Sequence, residues 1–288
     1  MRTFEYLIPM PYFEYKKPAS IREALELLLE DGTIPIAGGT DLIIMMNEGK
    51  VEPKTVVDIG GLGLSYVKDE MGEIAIGSTT TFQQIAESSK LQRYTCLVEA
   101  ARNIGTWQIR NLATLGGNIA NASPAADSVP PLLVLDAKVI IIGKDGEREK
   151  PLREFFYGPR KTDLKRGEII KEVRFKENDS VRCRWDRVGR RNQNTLSIVS
   201  VSVGGTLEKE RIVNARIALG AASPYPMLAT GAMKLLEGKK LSDDVITEAA
   251  NEASKESKPI SDVRGSAEYR KVAIRALVIR LLKSIRGE

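Results

Sequence analysis

A chain of 288 residues, 42% hydrophobic and 28% charged, has the composition of a globular protein with apolar residues for two or three cores. It has no histidine, which excludes Ser-His-Asp triads, imidazole metal sites and histidine acid–base chemistry, and its two cysteines, Cys96 and Cys183, stand in no metal-ligand spacing, which excludes a cysteine-held iron–sulfur cluster or four-cysteine zinc site within the chain. The net charge of +5 is modest and uneven, with 13 Lys/Arg against seven Asp/Glu between Arg153 and Arg191, a stretch whose aromatics show no regular stacking arrangement for nucleic acid.

From the N-terminus, Met1–Tyr15 carries Arg2, Glu5, Glu14 and two prolines, and so reads as having no apolar core of signal-peptide length. Ser20-Ile21-Arg22-Glu23 reads as a capping box opening a helix whose apolar face is Ala24, Leu25, Leu27 and Leu28 and which Gly32 ends. Ile34–Ala37 is a short buried strand. Gly38-Gly39 turns out of it, and Thr40 and Asp41 are expected to cap a short helix, Leu42–Met46. Val56–Ile59 closes this first unit as a strand.

Ile74–Gly77 opens a second unit, with helices expected over Phe82–Glu87 and about Leu97–Ile104. A second glycine pair follows in Thr114-Leu115-Gly116-Gly117-Asn118, and residues 119–127 read as an ordered loop. Strands are expected at Val139–Ile142 and Ile169–Phe175, with a Lys144-Asp145-Gly146 turn after the first. From Arg182 the pattern changes to long strands, Cys183–Val188, Leu196–Val203 and Ile212–Leu219. Helices follow at about Ala229–Leu236, Asp243–Ser254 and Ser266–Ile285. The last carries Tyr269, Val272, Ala273, Ala276, Leu277, Ile279 and Leu281, a stripe that reads as core. The longest uncharged run, Ile217–Met233, is broken by Pro224 and Pro226, so no segment reads as membrane-spanning and cytoplasmic residence is the expectation.

The two glycine pairs carry the chemistry. A glycine pair beside Thr or Asn suits a turn that brings backbone N–H groups to an anion, because no Cβ blocks the approach. Two such turns from separate segments could hold a pyrophosphate, and neither G-x-G-x-x-G nor G-x-x-x-x-G-K-[ST] occurs. Glycine pairs also serve as plain turns. Asp127 could cap a helix ahead of Pro130-Pro131, Ile104 and Ile170 could be core, Arg187, Arg190 and Arg191 could coat the surface, and Trp107 and Tyr225 carry no assignment.

Read together, these segments show a resemblance that covers essentially the whole chain. Residues 35–42 (Pro-Ile-Ala-Gly-Gly-Thr-Asp-Leu), 109–118 (Ile-Arg-Asn-Leu-Ala-Thr-Leu-Gly-Gly-Asn), 122–127 (Ala-Ser-Pro-Ala-Ala-Asp), Gly167-Glu168-Ile169-Ile170, Arg187-Val188-Gly189-Arg190-Arg191, Leu219-Gly220-Ala221-Ala222 and Asp262-Val263-Arg264 through Tyr269-Arg270 resemble the FAD-binding medium subunits of molybdenum-containing hydroxylases, such as xanthine and carbon monoxide dehydrogenases. The resemblance implies an α+β chain, with a two-subdomain FAD-binding fold of the PCMH/vanillyl-alcohol-oxidase type (1–59 and 60–178). A C-terminal domain of antiparallel sheet and helices (179–288), like that of the CO dehydrogenase flavoprotein, would follow. It places Ile36, Ala37, Gly38, Gly39, Thr40, Asp41 and Leu42 around the pyrophosphate, with Pro35 also among the cofactor-binding residues and Thr114, Leu115, Gly116, Gly117 and Asn118 reaching it from the other side. Asp127 matches an acidic contact, Ile104 an apolar one and Ile170 a backbone one. Arg187 stands where many members have lysine, exchanging a point charge for a planar fork.

The same resemblance implies an electron-transfer subunit with no catalytic side chain, carrying electrons from partner [2Fe-2S] clusters through FAD to NAD⁺ or another acceptor. Its partners would be a large molybdopterin subunit and a small [2Fe-2S] subunit, arranged as a dimer of heterotrimers. Two other readings stay open at this point. A stand-alone FAD oxidase or reductase would need its own acid–base group from Tyr, Asp or Glu, and a basic nucleic-acid binder would hold no cofactor and bind with strong salt dependence.

Overall fold

The computed structural model describes residues 10–287. Most of Met1–Tyr15, the stretch read as lacking a leader, therefore lies outside the described residues. The first unit is built from β1 (Glu14–Lys16), α1 (Ile21–Leu27), β2 (Thr33–Ile36), α2 (Leu42–Asn47) and β3 (Thr55–Asp58). Its three strands are parallel in the order β1-β3-β2, with β3 between the other two. Parallel neighbours need crossovers, and α1 and α2 supply them. Ser20 caps α1 by accepting from the Glu23 amide, while the Glu23 carboxylate takes the Ala19 amide at 2.8 Å instead of the Ser20 amide of a true capping box. Ala24, Leu25 and Leu28 of this helix face Val57, Ile59, Leu64 and Ile169 in a small core.

The second unit comprises β4 (Val67–Glu70), β5 (Glu73–Gly77), α3 (Phe82–Glu87), α4 (Thr95–Asn103), α5 (Trp107–Leu112), α6 (Leu115–Asn121), α7 (Val129–Val134), β6 (Lys138–Gly143), β7 (Gly146–Pro151), the short pair β8 (Phe156–Gly158) and β9 (Lys161–Thr162), and β10 (Ile169–Lys176). Its antiparallel sheet runs β4-β5-β10-β6-β7. The β10–β6 register shifts between Ile170 and Glu172, a bulge that re-aims the strand beside Ile170. Residues 119–127, read as a loop, begin inside α6. Ala122 ends that helix in the left-handed region.

The third unit is a four-stranded antiparallel meander of β11 (Val181–Gly189), β12 (Ser197–Glu208), β13 (Arg211–Gly220) and β14 (Met227–Leu228), followed by α8 (Thr230–Leu236), α9 (Asp243–Glu256) and α10 (Ala267–Arg286). Alternation along β12 sorts its two faces. Val199, Val201 and Val203 join the core beneath the helices, while Ser200, Ser202 and Gly204 lie on the other face. A Cβ on Gly204 would sit 2.4 Å from Val134 of α7, so small residues let the third unit close onto the second. The α10 stripe is Ala273, Ile274, Leu277, Val278, Leu281, Leu282 and Ile285. The expected stripe was displaced on the helix: Tyr269 and Val272 are 48% and 67% exposed, because the packed face is set by the β12 valines and α9.

Candidate functional site

A cavity of about 650 Å³ opens where the three units meet. That volume lies within the range of roughly 300–1,000 Å³ that small-molecule and cofactor sites occupy. Its first wall is the turn after β2. Pro35, Ile36, Ala37, Gly38, Gly39, Thr40, Asp41 and Leu42 all line it. The N–H groups of Gly38, Gly39, Thr40, Asp41 and Leu42 meet no acceptor among the described residues. Gly39 takes a φ of +69°, which reverses the chain direction ahead of α2, and Gly38 lies so close to α5 that a Cβ there would sit 1.9 Å from the Leu112 carbonyl oxygen. Asp41, expected as a side-chain cap, makes no capping hydrogen bond. Its carboxylate accepts from Asn121 Nδ2 at 3.0 Å, and Asn121 Oδ1 accepts from Arg160 Nη1 at 2.6 Å, tying α2 to the end of α6.

The second glycine pair behaves differently. Gly116 and Gly117 are not a turn but lie in the first turn of α6, which Thr114 caps. Their amides are already taken: Gly116 donates to the Ser78 carbonyl at 2.8 Å, Gly117 to Thr114 Oγ1 at 3.2 Å, and Asn118 to the Thr114 carbonyl at 3.0 Å. The expectation of a second nest of free amides is thereby corrected. This pair contributes room. A Cβ on Gly116 would lie 2.5 Å from Ser78 Cβ, so α6 rests on that segment, whereas one on Gly117 would meet only the Thr114 hydroxyl, at 2.8 Å. Leu115 is the one expected residue that does not line the cavity. At the start of α6 it points into the main core, fully buried, with its amide on the Thr80 carbonyl.

Thr114, Gly116, Gly117 and Asn118 do line the cavity, as do Ile104, Asp127, Ile170 and Arg187. The Thr114 oxygen accepts from Gly117, which leaves its proton free to donate. Asn118 Oδ1 accepts from Ser128 Oγ at 2.7 Å, which leaves its amino group for the cavity. Ile104 follows α4, and its carbonyl accepts from Arg110 Nη1 at 3.3 Å. Asp127 is buried beside Ser197, whose Oγ lies 2.7 and 2.8 Å from the two carboxylate oxygens, and beside Arg187 Nη1 at 3.4 Å. Burial pushes the Asp127 carboxyl up from its ordinary value, against the pull of Ser197 and Arg187. Arg187 also donates to the Thr195 carbonyl at 2.8 Å, holding the β11–β12 connection, so that Asn194, Thr195 and Leu196 close the cavity from the third unit. Arg190 and Arg191 stay exposed at the surface, and Trp107 is 62% exposed away from the cavity.

Further lining residues were not singled out by sequence, although Ile109, Glu168 and Ile169 lie within the motifs that carry the resemblance. Ser78 is the most telling, because its Oγ is buried and has no hydrogen-bond partner, an orphan donor at the cavity wall. It opens the polar run Ser78-Thr79-Thr80-Thr81, which by sequence led only into α3. Glu168 lines the cavity with its carboxylate held by Arg148, at 2.8 and 2.6 Å. Phe82, Ile109 and Ile169 add apolar wall.

Residues 11–175 match the family profile described as the FAD binding domain in molybdopterin dehydrogenase, and residues 187–285 match the CO dehydrogenase flavoprotein C-terminal domain. This chain belongs to the FAD-binding medium subunits of the molybdenum hydroxylase family. The medium subunit is 33% identical to the glyceraldehyde dehydrogenase medium chain of Sulfolobus acidocaldarius, over 96% of this chain and 99% of that one. It is 30% identical to the xanthine dehydrogenase FAD-binding subunit of Escherichia coli O157:H7, over 94% and 95% of the two chains. It superposes on a chain of the Cu,Mo-CO dehydrogenase with a TM-score of 0.93 at 28% identity, covering 97% of this chain and 99% of that one. Quinoline 2-oxidoreductase from Pseudomonas putida 86 gives 0.91 at 26% identity, covering 97% and 98%.

The medium subunit is an α+β oxidoreductase subunit with a two-part FAD-binding fold and a flavoprotein C-terminal domain. The cavity's chemistry fits FAD. Five unspent amides suit a diphosphate, an orphan hydroxyl and a free amide side chain suit a sugar-like chain, and apolar walls suit flat rings. No helix among the described residues is long and apolar enough to cross a membrane.

Proposed function

We propose that this medium subunit holds FAD in the three-unit cavity and carries electrons from [2Fe-2S] clusters on a small partner chain to NAD⁺ or another acceptor. A large molybdopterin chain would complete the unit and the whole would form a dimer of heterotrimers in the cytoplasm. The observation that carries the reading is the row of unspent amides from Gly38 to Leu42 facing a cavity walled by α6 and by the β11–β12 connection. FAD supplies a ring able to exchange electrons singly or in pairs, which a converter between iron–sulfur clusters and a two-electron acceptor requires.

In this reading Gly38–Leu42 donate to the diphosphate, with Pro35, Ile36 and Ala37 framing the turn. Gly116 and Gly117 leave the space that lets it approach α6, and Thr114 and Asn118 donate beside it. Ile104 and Ile170 pack against the rings, and the Asp127–Arg187 pair sets the charge near them. Leu115 supports this wall from behind. The partner chains follow from chemistry as well as kinship, since a chain with no histidine and two cysteines in no ligand spacing has no ligands for the clusters.

The test is to purify the native complex through a tag on this chain and offer it, anaerobically, a panel of small organic substrates as electron donors. Iron and acid-labile sulfide accompanying the flavin, with flavin bleaching only when the partners are present, is the expected result. Bleaching of the isolated chain by a small organic substrate would instead support a stand-alone oxidase and contradict the proposal.

A further inference from the structure

Cys96 and Cys183 take no part in the cavity, yet the fold brings them together. α4 packs on β11, and at that contact the Cys96 amide donates to Cys183 Sγ at 3.4 Å. The corner is fixed by neighbours: the Thr95 hydroxyl donates to the Cys183 carbonyl and accepts from Arg184 Nη1 at 2.7 Å. Both cysteines are free thiols and sealed from solvent, 0% and 1% exposed. They differ in character. Burial pushes the Cys96 thiol well up, whereas its hydrogen bond to Cys183 holds the Cys183 thiol below its ordinary value. The two elements they join lead to the cofactor cavity, since Ile104 follows α4 and Arg187 lies on β11, and both line it.

The geometry points to a modification site: on exposure to a peroxide, Cys96 and Cys183 close to an intramolecular disulfide that fastens α4 to β11 behind the cavity. Cys183, whose sulfur accepts the Cys96 amide at 3.4 Å and is thereby favoured as thiolate, is the attacking sulfur. Its thiolate attacks one peroxide oxygen, an S–O bond forms as the O–O bond breaks, and the departing hydroxide takes up the thiol proton and leaves as water. The Cys96 sulfur then attacks the sulfenic sulfur, an S–S bond forms as the S–O bond breaks, and a second water leaves with the Cys96 proton. The two sulfurs together give up two electrons and the peroxide receives them. Because both thiols are buried, the reaction proceeds through local opening of the α4–β11 contact and is slow compared with oxidation of exposed groups.

The full chain is treated with hydrogen peroxide, and thiols are counted in denaturant beside the intact mass. Met71, fully exposed, serves as the internal gauge that oxidant was delivered. The expected result is that both titratable thiols disappear while the chain loses two hydrogens beyond the oxygen gained at methionine. It remains monomeric on a non-reducing gel and recovers both thiols with dithiothreitol. Cys96→Ser and Cys183→Ser, each losing one partner, show no such hydrogen loss. Two thiols persisting after treatment prolonged to many times the interval that fully oxidises Met71 would overturn the proposal. So would cysteine oxygenation or intermolecular cross-linking in place of the internal bond.

Discussion

Gly38 and Gly117 look interchangeable in the sequence and are not. A Cβ on Gly38 would collide with the Leu112 carbonyl, a backbone atom that cannot swing aside, so Gly38→Ala is expected to cost about 3 kcal/mol or more and Gly38→Val to abolish folding. Loss of flavin in such a variant would report on the fold. Gly117→Ala meets only the Thr114 hydroxyl, whose cap is worth about 1 kcal/mol, so it should fold and unfold in denaturant nearly as the parent does. Its methyl intrudes on the cavity, and FAD affinity should fall about tenfold, or about 1.4 kcal/mol. Denaturant melts beside flavin titrations separate the two effects, and unchanged affinity in folded Gly117→Ala would contradict its placement. The residue types at the cavity were legible because both glycine pairs occur in order, with Arg110-Asn111 before the second and Ser123-Pro124 and Asp127 after it, a pattern far more specific than either pair alone. Which amides were free was not, because the acceptor for Gly116, the Ser78 carbonyl, comes from a different segment of the chain. The orphan hydroxyl of Ser78 gave no individual sequence signal, since isolation is a property of its surroundings.

Elements with strong caps or clear alternation were legible. Phe82–Glu87 stands as expected because Thr81 and Gln84 form a reciprocal capping box. α5, by contrast, buries none of its residues completely and offers no apolar stripe, and β4 is a mostly charged edge strand, so neither announces itself. The β7 edge strand looked equally unremarkable, yet it holds one wall of the site. Arg148 on it donates to Asp163 and to both oxygens of Glu168, and Glu168 lines the cavity. The Tyr157 hydroxyl and Arg148 hold Asp163 below the ordinary carboxylate range, and Arg148 does the same to Glu168. Carboxyls lowered in the folded state contribute stability that is fully present above their unfolded values, near pH 4, and is lost as the pH falls through the lowered ones. Arg148→Met should therefore cost about 2 kcal/mol at neutral pH and much less in acid. Denaturant melts across pH check this, and a penalty independent of pH would contradict the assignment of the cluster.

For the whole molecule, three units of ordinary construction make one site none of them contains alone. The amides come from the parallel three-stranded unit, the glycine helix from the second, and the closing loop from the third, which the Arg187 contacts to Asp127 and Thr195 hold in place. The long strands and three helices of the third unit were legible along the chain, whereas α5, α6, α7, β4 and β7 of the second were not. The units' mutual placement was carried by the family motifs, and the physical reason appears only in the structure: Ser200, Ser202, Gly204 and Gly220 leave a flat face on the third unit's sheet for α7 and α4 to approach. In the proposed function the Gly38–Leu42 amides clasp a diphosphate between these units. The direct measurement is titration of flavin-free protein with FAD, in competition with ADP and with riboflavin. Stoichiometric FAD uptake, displaced by ADP far better than by riboflavin, is expected; no uptake by the folded chain, or displacement by riboflavin and not by ADP, would rule out a diphosphate clasp.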